Sequence, residues 1–282
     1  MLHLKQIVLP VDFSPRSERA ARYAQVVASR FHSHIVLLHV EHEPPFIGGE
    51  EVGAPPPGSI DHKLWLRGRL NAFMRSELRE PAVTRVLLEG DPAAQIVELA
   101  RSNQDGLIMM ATSGHGAFRQ FLLRSTLARV IQHSACPVCT GLHFAEGGSA
   151  PPLVFRKVAC AIDLGSHSRS ALEWASQFSA AFGARLLVIH VVRPSGGQRT
   201  APGNPQSETI ERANVAIAGI LDNLGIQADV AVASGRAPSV VHDLAQGSAA
   251  DILVIGRCAL SGRLHPDTYG IIQQSHCPVV SV

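Results

Sequence analysis

Apolar residues in this chain fall into short unbroken runs that alternate with stretches of helical spacing. Runs such as 35–40 (IVLLHV) and 186–191 (LLVIHV) carry no charge, which suits strands buried on both faces rather than strands with one wet side. The pattern predicts strands over 5–11, 34–40, 83–89, 106–111 and 137–140, and helices over 15–31, 60–79, 91–103 and 125–133. Later in the chain it predicts strands over 157–162, 185–191, 227–233, 251–256 and 278–282. Strands that alternate with helices imply parallel, doubly wound sheets, because each strand needs a helical crossover to return to the same edge.

The pattern also repeats. Sliding the chain on itself by 151 residues aligns 8–40 with 159–191 without a gap and gives seven identities, among them Asp12 with Asp163, Ser17 with Ser168 and His39 with His190. The offset then becomes 145, pairing Gly90 with Gly235, and finally 141, pairing Cys136-Pro137-Val138 with Cys277-Pro278-Val279. A unit of about 140 residues is too long for a solenoid repeat, so each copy is expected to be a complete domain. The expected domains are 1–145 and 155–282, joined by a linker at 143–155. Two Pro- and Gly-rich stretches at matching places, 41–59 and 193–207, are expected to be long loops, the first a candidate lid.

Composition narrows the function classes. With 282 residues, 46% hydrophobic and 17% charged, the chain can bury two cores, which excludes extended disorder. Lys and Arg exceed Asp and Glu by only two, evenly divided between the halves, so neither half offers a basic nucleic-acid surface. The first residues lack a secretory pattern and no apolar run reaches the length of a membrane span, so a cytoplasmic protein without membrane or nucleic-acid partners is expected. The five cysteines do not form a disulfide pattern. Cys136 and Cys139 have CxxC spacing, but Cys139 has no counterpart in the second copy and both fall at the last strand, so buried packing is expected. Fourteen histidines raise a metal hypothesis. His39 and His190 share one strand-end position, however, and no helical i, i+4 partner completes a site, so no metal is assigned and a structural role is expected.

In an open parallel sheet a ligand binds at the carboxyl ends of the strands where the strand order reverses. Two features of the first copy converge there. Asp12 ends the first strand, and the fourth strand runs into Thr112-Ser113-Gly114-His115-Gly116 before a helix beginning near Ser125. Glycine lets backbone approach an anion closely, and free amides at a helix start can donate to it. The chain has no Walker lysine.

Asp12 after IVLPV, Gly90-Asp91-Pro92, Gly114 with Ser125 and the closing CPV together resemble the universal stress protein family, written twice in tandem. That resemblance covers nearly the whole chain. It implies an α/β fold of two Rossmann-like domains of the adenine nucleotide alpha hydrolase-like type, each a five-stranded parallel sheet flanked by helices. It also implies pairing through the last strands, here 137–140 with 278–282, as an internal pseudo-dimer open to further homo-oligomerisation. One branch of the family binds ATP through a loop of Gly, two residues, Gly, nine residues, Gly, then Ser or Thr. Here the four marker positions hold Ala111, Gly114, Arg124 and Ser125, so two match. By resemblance, Asp12 and the backbone around Val40 hold adenosine, and Gly114, Gly116, Ser125 and the Thr126 amide hold phosphate. The guanidinium of Arg124 either obstructs the phosphates or binds them. In the second copy His265 and Pro266 stand in place of Arg124 and Ser125, and Asp267 follows. At most one full nucleotide site, in the first copy, is therefore expected.

Two roles are open to Asp12, an adenosine contact or a cap for the helix that follows it. Likewise Gly114 and Ser125 suit either phosphate or an ordinary turn and cap. His115 lies in the loop, but nothing in the sequence orients it as a base, so no enzymatic activity is expected. The resulting expectation is a stress-response regulator or sensor with a degenerate ATP site in its first domain. The alternatives are a nucleotide-independent interaction module with vestigial pockets and a slow nucleotide hydrolase.

Overall fold

The structure, a computed structural model, describes residues 2–42, 55–56, 58–78, 82–101, 105–111, 126–141, 154–193, 205–257, 259–260 and 263–282. The expected lid at 41–59, its counterpart at 193–207 and the linker at 143–155 fall largely outside them. The chain divides into two compact units, His3–Val138 and a second running from Cys139 to Val282.

The first copy builds strands β1 (Gln6–Pro10), β2 (His34–Glu41), β3 (Val83–Glu89), β4 (Gly106–Met109) and β5 (Val138–Thr140), arranged in the order β3-β2-β1-β4-β5. The pairings are parallel, with Val8 of central β1 opposite Val36 on one side and Ile108 on the other. Helices α1 (Pro15–Phe31), α2 (Ile60–Ala72), α3 (Pro92–Arg101) and α4 (Thr126–His133) connect them.

Local chemistry explains where these elements begin and end. Ser14 caps α1 by accepting from the Ser17 N–H, Pro15 follows with its φ already helical, and His32 at φ 55° closes the helix in the left-handed region. The buried face of α1 is made of Ala20, Ala21, Ala24, Val27 and Ala28, each 0–1% exposed. Such small side chains let the helix lie close on β1 and β2. Helix α2 stops seven residues short of the predicted 79. The chain turns at Phe73, Met74 takes φ 46°, and the turn places both Phe73 and Leu78 in the core, a burial that a continued helix would not allow.

The second copy repeats the arrangement with β6 (Lys157–Ile162), β7 (Arg185–Val192), β8 (Asp229–Ser234), β9 (Ile252–Ile255) and β12 (Val279–Ser281), in the order β12-β9-β6-β7-β8. Its pairings are again parallel, with Ala159 of β6 between Leu187 and Leu253. Helices α5 (Ser168–Phe182), α6 (Pro205–Leu224), α7 (Ala237–Gly247) and α8 (Pro266–Gln274) connect the strands. The core centres on Phe178, 1% exposed, which stacks on Trp174 at 4.9 Å and meets Phe155 edge-on at 5.2 Å. One feature was not predicted. Between β9 and α8 a short antiparallel pair forms from β10 (Ala259–Leu260) and β11 (Arg263–Leu264). In sequence it corresponds to the Gly-bearing stretch 112–125 of the first copy, which is longer.

Both copies are thus five-stranded, parallel and doubly wound, as the alternation of strands and helices implies. The equivalence extends to hydrogen bonds. Ser134 donates its hydroxyl to the Cys136 carbonyl and accepts the Cys136 N–H, and Ser275 does both for Cys277.

Candidate functional site

The strand order reverses between β1 and β4 in the first copy and between β6 and β9 in the second. At each reversal an aspartate leaves the carboxyl end of the central strand. Asp12 Oδ1 accepts from the Ser14 N–H at 3.0 Å and from the hydroxyls of Ser14 and Ser17. Asp163 Oδ1 accepts from the Gly165 N–H at 2.8 Å and from the Ser168 hydroxyl at 3.0 Å. Burial works to raise each carboxyl, but these donors outweigh it and hold both below the ordinary carboxylate value. In both copies these bonds converge on one carboxylate oxygen, Oδ1.

The residue after each aspartate bends sharply, with Phe13 at φ 63° and Leu164 at φ 62°. Neither is glycine, so the bend costs energy that the surrounding bonds offset, as is common at binding sites. His39 and His190 brace it from the neighbouring strand. Their Nδ1 atoms lie 2.8 Å from the Val11 carbonyl and 2.9 Å from the Ile162 carbonyl. A carbonyl only accepts, so Nδ1 carries the proton in both rings. These histidines hold the strand end.

The predicted residues of the first copy are placed as follows. Pro10 of β1 pairs with Leu38 of β2, so Asp12, two residues on, emerges beside Val40. Thr126 opens α4, whose first turn contains no acidic residue. Gly114, Gly116 and Ser125 lie outside the described residues, as do His115 and Arg124. Behind the α4 start, Arg129 pairs bidentately with Asp91 at 2.6 and 2.8 Å, and Asp91 Oδ2 also caps α3 through the Ala94 N–H.

In the second copy the reversal point is a cavity of about 420 Å³. Ile162, Ile189, Val241, Ile255 and Ile271 contribute its apolar lining, and Asp163, His167 and His265 its polar lining. The helix start facing it is already partly taken up. His265 caps α8 by accepting the Asp267 N–H at Nδ1, 3.1 Å away, and Pro266 has no N–H to offer. The Asp267 carboxylate occupies the same end, 3.2 Å from Arg193 and 3.7 Å from His265. Gly256 is closed off too, since a Cβ there would lie 3.1 Å from His167 Cβ. A carboxylate, a missing N–H at Pro266 and a capped amide at Asp267 oppose phosphate at this end.

The sequence profile of the universal stress protein family matches residues 3–140 and matches again over 155–282. The chain belongs to the universal stress protein family. A universal stress protein of Methanocaldococcus jannaschii is 34% identical over 140 residues, covering 48% of this chain and 79% of that one. One from Thermus aquaticus is 28% identical over 134 residues, covering 48% and 96%. The crystal structure of a universal stress protein from Archaeoglobus fulgidus superposes on the whole chain with a TM-score of 0.72, covering 97% of that structure at 19% identity, a likeness of fold. The chain is therefore a tandem universal stress protein with two complete Rossmann-like domains. Among its described residues no helix is long and apolar enough to cross a membrane.

Beside Asp12 this universal stress protein carries a cluster that the sequence reading missed. Phe13 packs on His39 at 4.5 Å and meets Phe73 at 5.9 Å, while the Arg69 guanidinium lies 4.5 Å over Phe13 and 4.6 Å over Trp65. The i, i+4 spacing of Trp65 and Arg69 on α2 was the available signal. The bend at Phe13 and the end of α2 are thus coupled through a cation and a stack of rings. The cysteine expectation concerns Cys136 and Cys139, both of which are free thiols buried in the structure.

Proposed function

We propose that this tandem universal stress protein is a stress-linked regulator whose first domain binds adenine nucleotide, ATP being the expected ligand, while its second domain does not hold a triphosphate. The reading rests on one contrast. Both domains present the same hydrogen-bonded aspartate at the strand reversal, but they differ at the helix that would receive phosphate. In the second domain Pro266, the His265 cap and the Asp267 carboxylate consume that helix start. In the first domain α4 starts at Thr126 without an acidic residue in its first turn, so the amides there attract an anion. Asp12 and Val40 would hold the nucleoside, and Gly114, Gly116, Ser125 and Thr126 the phosphates. Occupancy would bias the loops around the first crevice, which is a regulator's task and needs no bond to be broken.

The test is titration of the full chain with ATP. One ATP per chain is expected, weakened by Asp12→Ala and by Ser125→Ala and unchanged by Asp163→Ala. Binding indifferent to both first-domain variants would overturn the assignment. Mass spectrometry of small molecules released from freshly purified protein supplies an independent reading, with recovered ATP expected. The second domain lends support to a different reading for its own pocket, since the closed helix start is what a vestigial nucleotide site would look like. On that reading the partner of the second domain is a protein and not a nucleotide, and an empty chain in the mass spectrum would extend it to both domains.

A further inference from the structure

At the opposite end of the second sheet from its crevice, two imidazoles meet. His242 lies on α7 and His276 in the connection from α8 to β12, with ring centroids 5.7 Å apart and ring planes at 81°. The Nδ1 atom of each ring is buried and has no hydrogen-bond partner among the described residues. Buried polar atoms in folded proteins are nearly always satisfied, so two orphans in one pair of rings require an explanation. A neutral imidazole keeps a lone pair on one ring nitrogen, and an unpartnered ring nitrogen can ligate a metal ion. The pair is also specific to the second copy. At the matching positions the first copy has Val97 and Ala135, so both histidines are present in one copy and both absent from the other.

We propose that His242 and His276 form a binding site for a divalent transition-metal ion, Zn²⁺ being the reference case, with water completing the coordination. The span fits. With a metal–nitrogen distance of about 2.0–2.1 Å, two imidazoles sharing one ion have centroids roughly 5 to 6 Å apart for angles from tetrahedral to moderately open. Imidazole nitrogen suits zinc, copper and nickel. Both residues are partly exposed, although the two Nδ1 atoms themselves are buried. No group of three or more metal-capable side chains converges among the described residues, so the site offers two protein ligands and leaves positions open.

The experiment uses the full chain, stripped with a chelator and titrated with Zn²⁺ against a chromophoric competitor. The variants are His242→Val and His276→Ala, which install the residues of the first copy at the same places, and their double mutant. His34→Ala serves as control, since that ring hydrogen-bonds Thr84 in the first copy. The wild type is expected to bind one more equivalent than the double mutant. Each single variant should weaken that equivalent at least about tenfold, the least that disturbing a metal site's supporting shell costs, and the control should not. Identical titrations of wild type and double mutant would overturn the proposal and leave a ring contact or a water-bridged pair. Should a variant not fold, anomalous diffraction at the zinc edge from soaked wild-type crystals decides. A peak bonded to both Nδ1 atoms supports the site, and peaks confined to other places overturn it.

Discussion

Replacing Asp12 by alanine removes the acceptor that gathers the start of α1. Three donors converge on Asp12 Oδ1, the Ser14 N–H and the hydroxyls of Ser14 and Ser17. A hydrogen bond to a charged group contributes about 1.5–3 kcal/mol when shielded. Asp12 is exposed, however, and the freed serines can turn to water or to the helix start, so the net loss is discounted to about 1–2 kcal/mol. Asp12→Asn keeps an acceptor oxygen and loses only the charge, so it should cost roughly half as much. The pH dependence follows from the direction of the shift. The folded carboxyl titrates below the unfolded value of about 3.9, so its contribution is fully present above that value and is lost as pH falls through the folded one.

The two domains need not unfold together, and the chain supplies a reporter for each, since its two tryptophans are Trp65 in the first copy and Trp174 in the second. In a Trp174→Phe background, urea unfolding followed by Trp65 fluorescence isolates the first domain. At pH 7 Asp12→Ala should lower its stability by about 1–2 kcal/mol, and the difference from the parent should shrink as the pH falls below about 4. A variant as stable as its parent at pH 7, or a difference that does not shrink as the pH falls below about 4, would refute the account of Asp12 as the anchor of the α1 start.

Phe178→Ala should cost the second domain about 3–5 kcal/mol, the usual loss for a fully buried aromatic ring, because Trp174, Phe155 and Phe182 all pack on it; urea titration read at Trp174 should show it, with Trp65 unmoved. Burial drives the Cys139 and Cys160 thiols far above their ordinary value and pushes Cys277 up to about 12. With Cys136 also buried, a thiol reagent at pH 8 should titrate no more than one of the five cysteines in the native chain and all five in denaturant. Burial holds His39 below the ordinary histidine value, against the pull of its bond to the Val11 carbonyl, with Arg69 adding to the depression. The unfolded chain therefore binds this proton first, and the stability of the first domain should fall as pH drops below about 6.5, less steeply in His39→Gln. Equal slopes in the two proteins would show that His39 stays protonatable in the fold.

Much of the architecture was legible because parallel sheets leave a strong imprint. The run at 35–40 is apolar because β2 is covered on both faces, and α1 was readable from Ser14-Pro15 and its alanine stripe. The features that escaped depend on distant contacts. Nothing local announces that Phe13 and Leu164 adopt positive φ, since the usual glycine is absent and the bend is held by serines, a histidine and ring packing gathered from other segments. Asp12 and Ser14 are both good cap residues, and propensity alone does not choose between them; Ser14 caps the helix while Asp12 folds back onto it. Helix α2 continues its pattern past Ala72, but the core rewards a turn that buries Phe73 and Leu78. The His265 cap was hidden because imidazole is an uncommon one.

The matched bends carry a chronology. Phe13 and Leu164 differ in identity yet hold φ within one degree of each other, and the carboxylate, serine and imidazole contacts around them correspond partner for partner. Chance does not produce such agreement twice, so this corner was already shaped in the single-domain ancestor. The β10–β11 pair, beside a four-residue difference in length, marks where the two copies part. Inheritance preserved the hinge of the crevice while its rim diverged, so the two crevices need not do the same work.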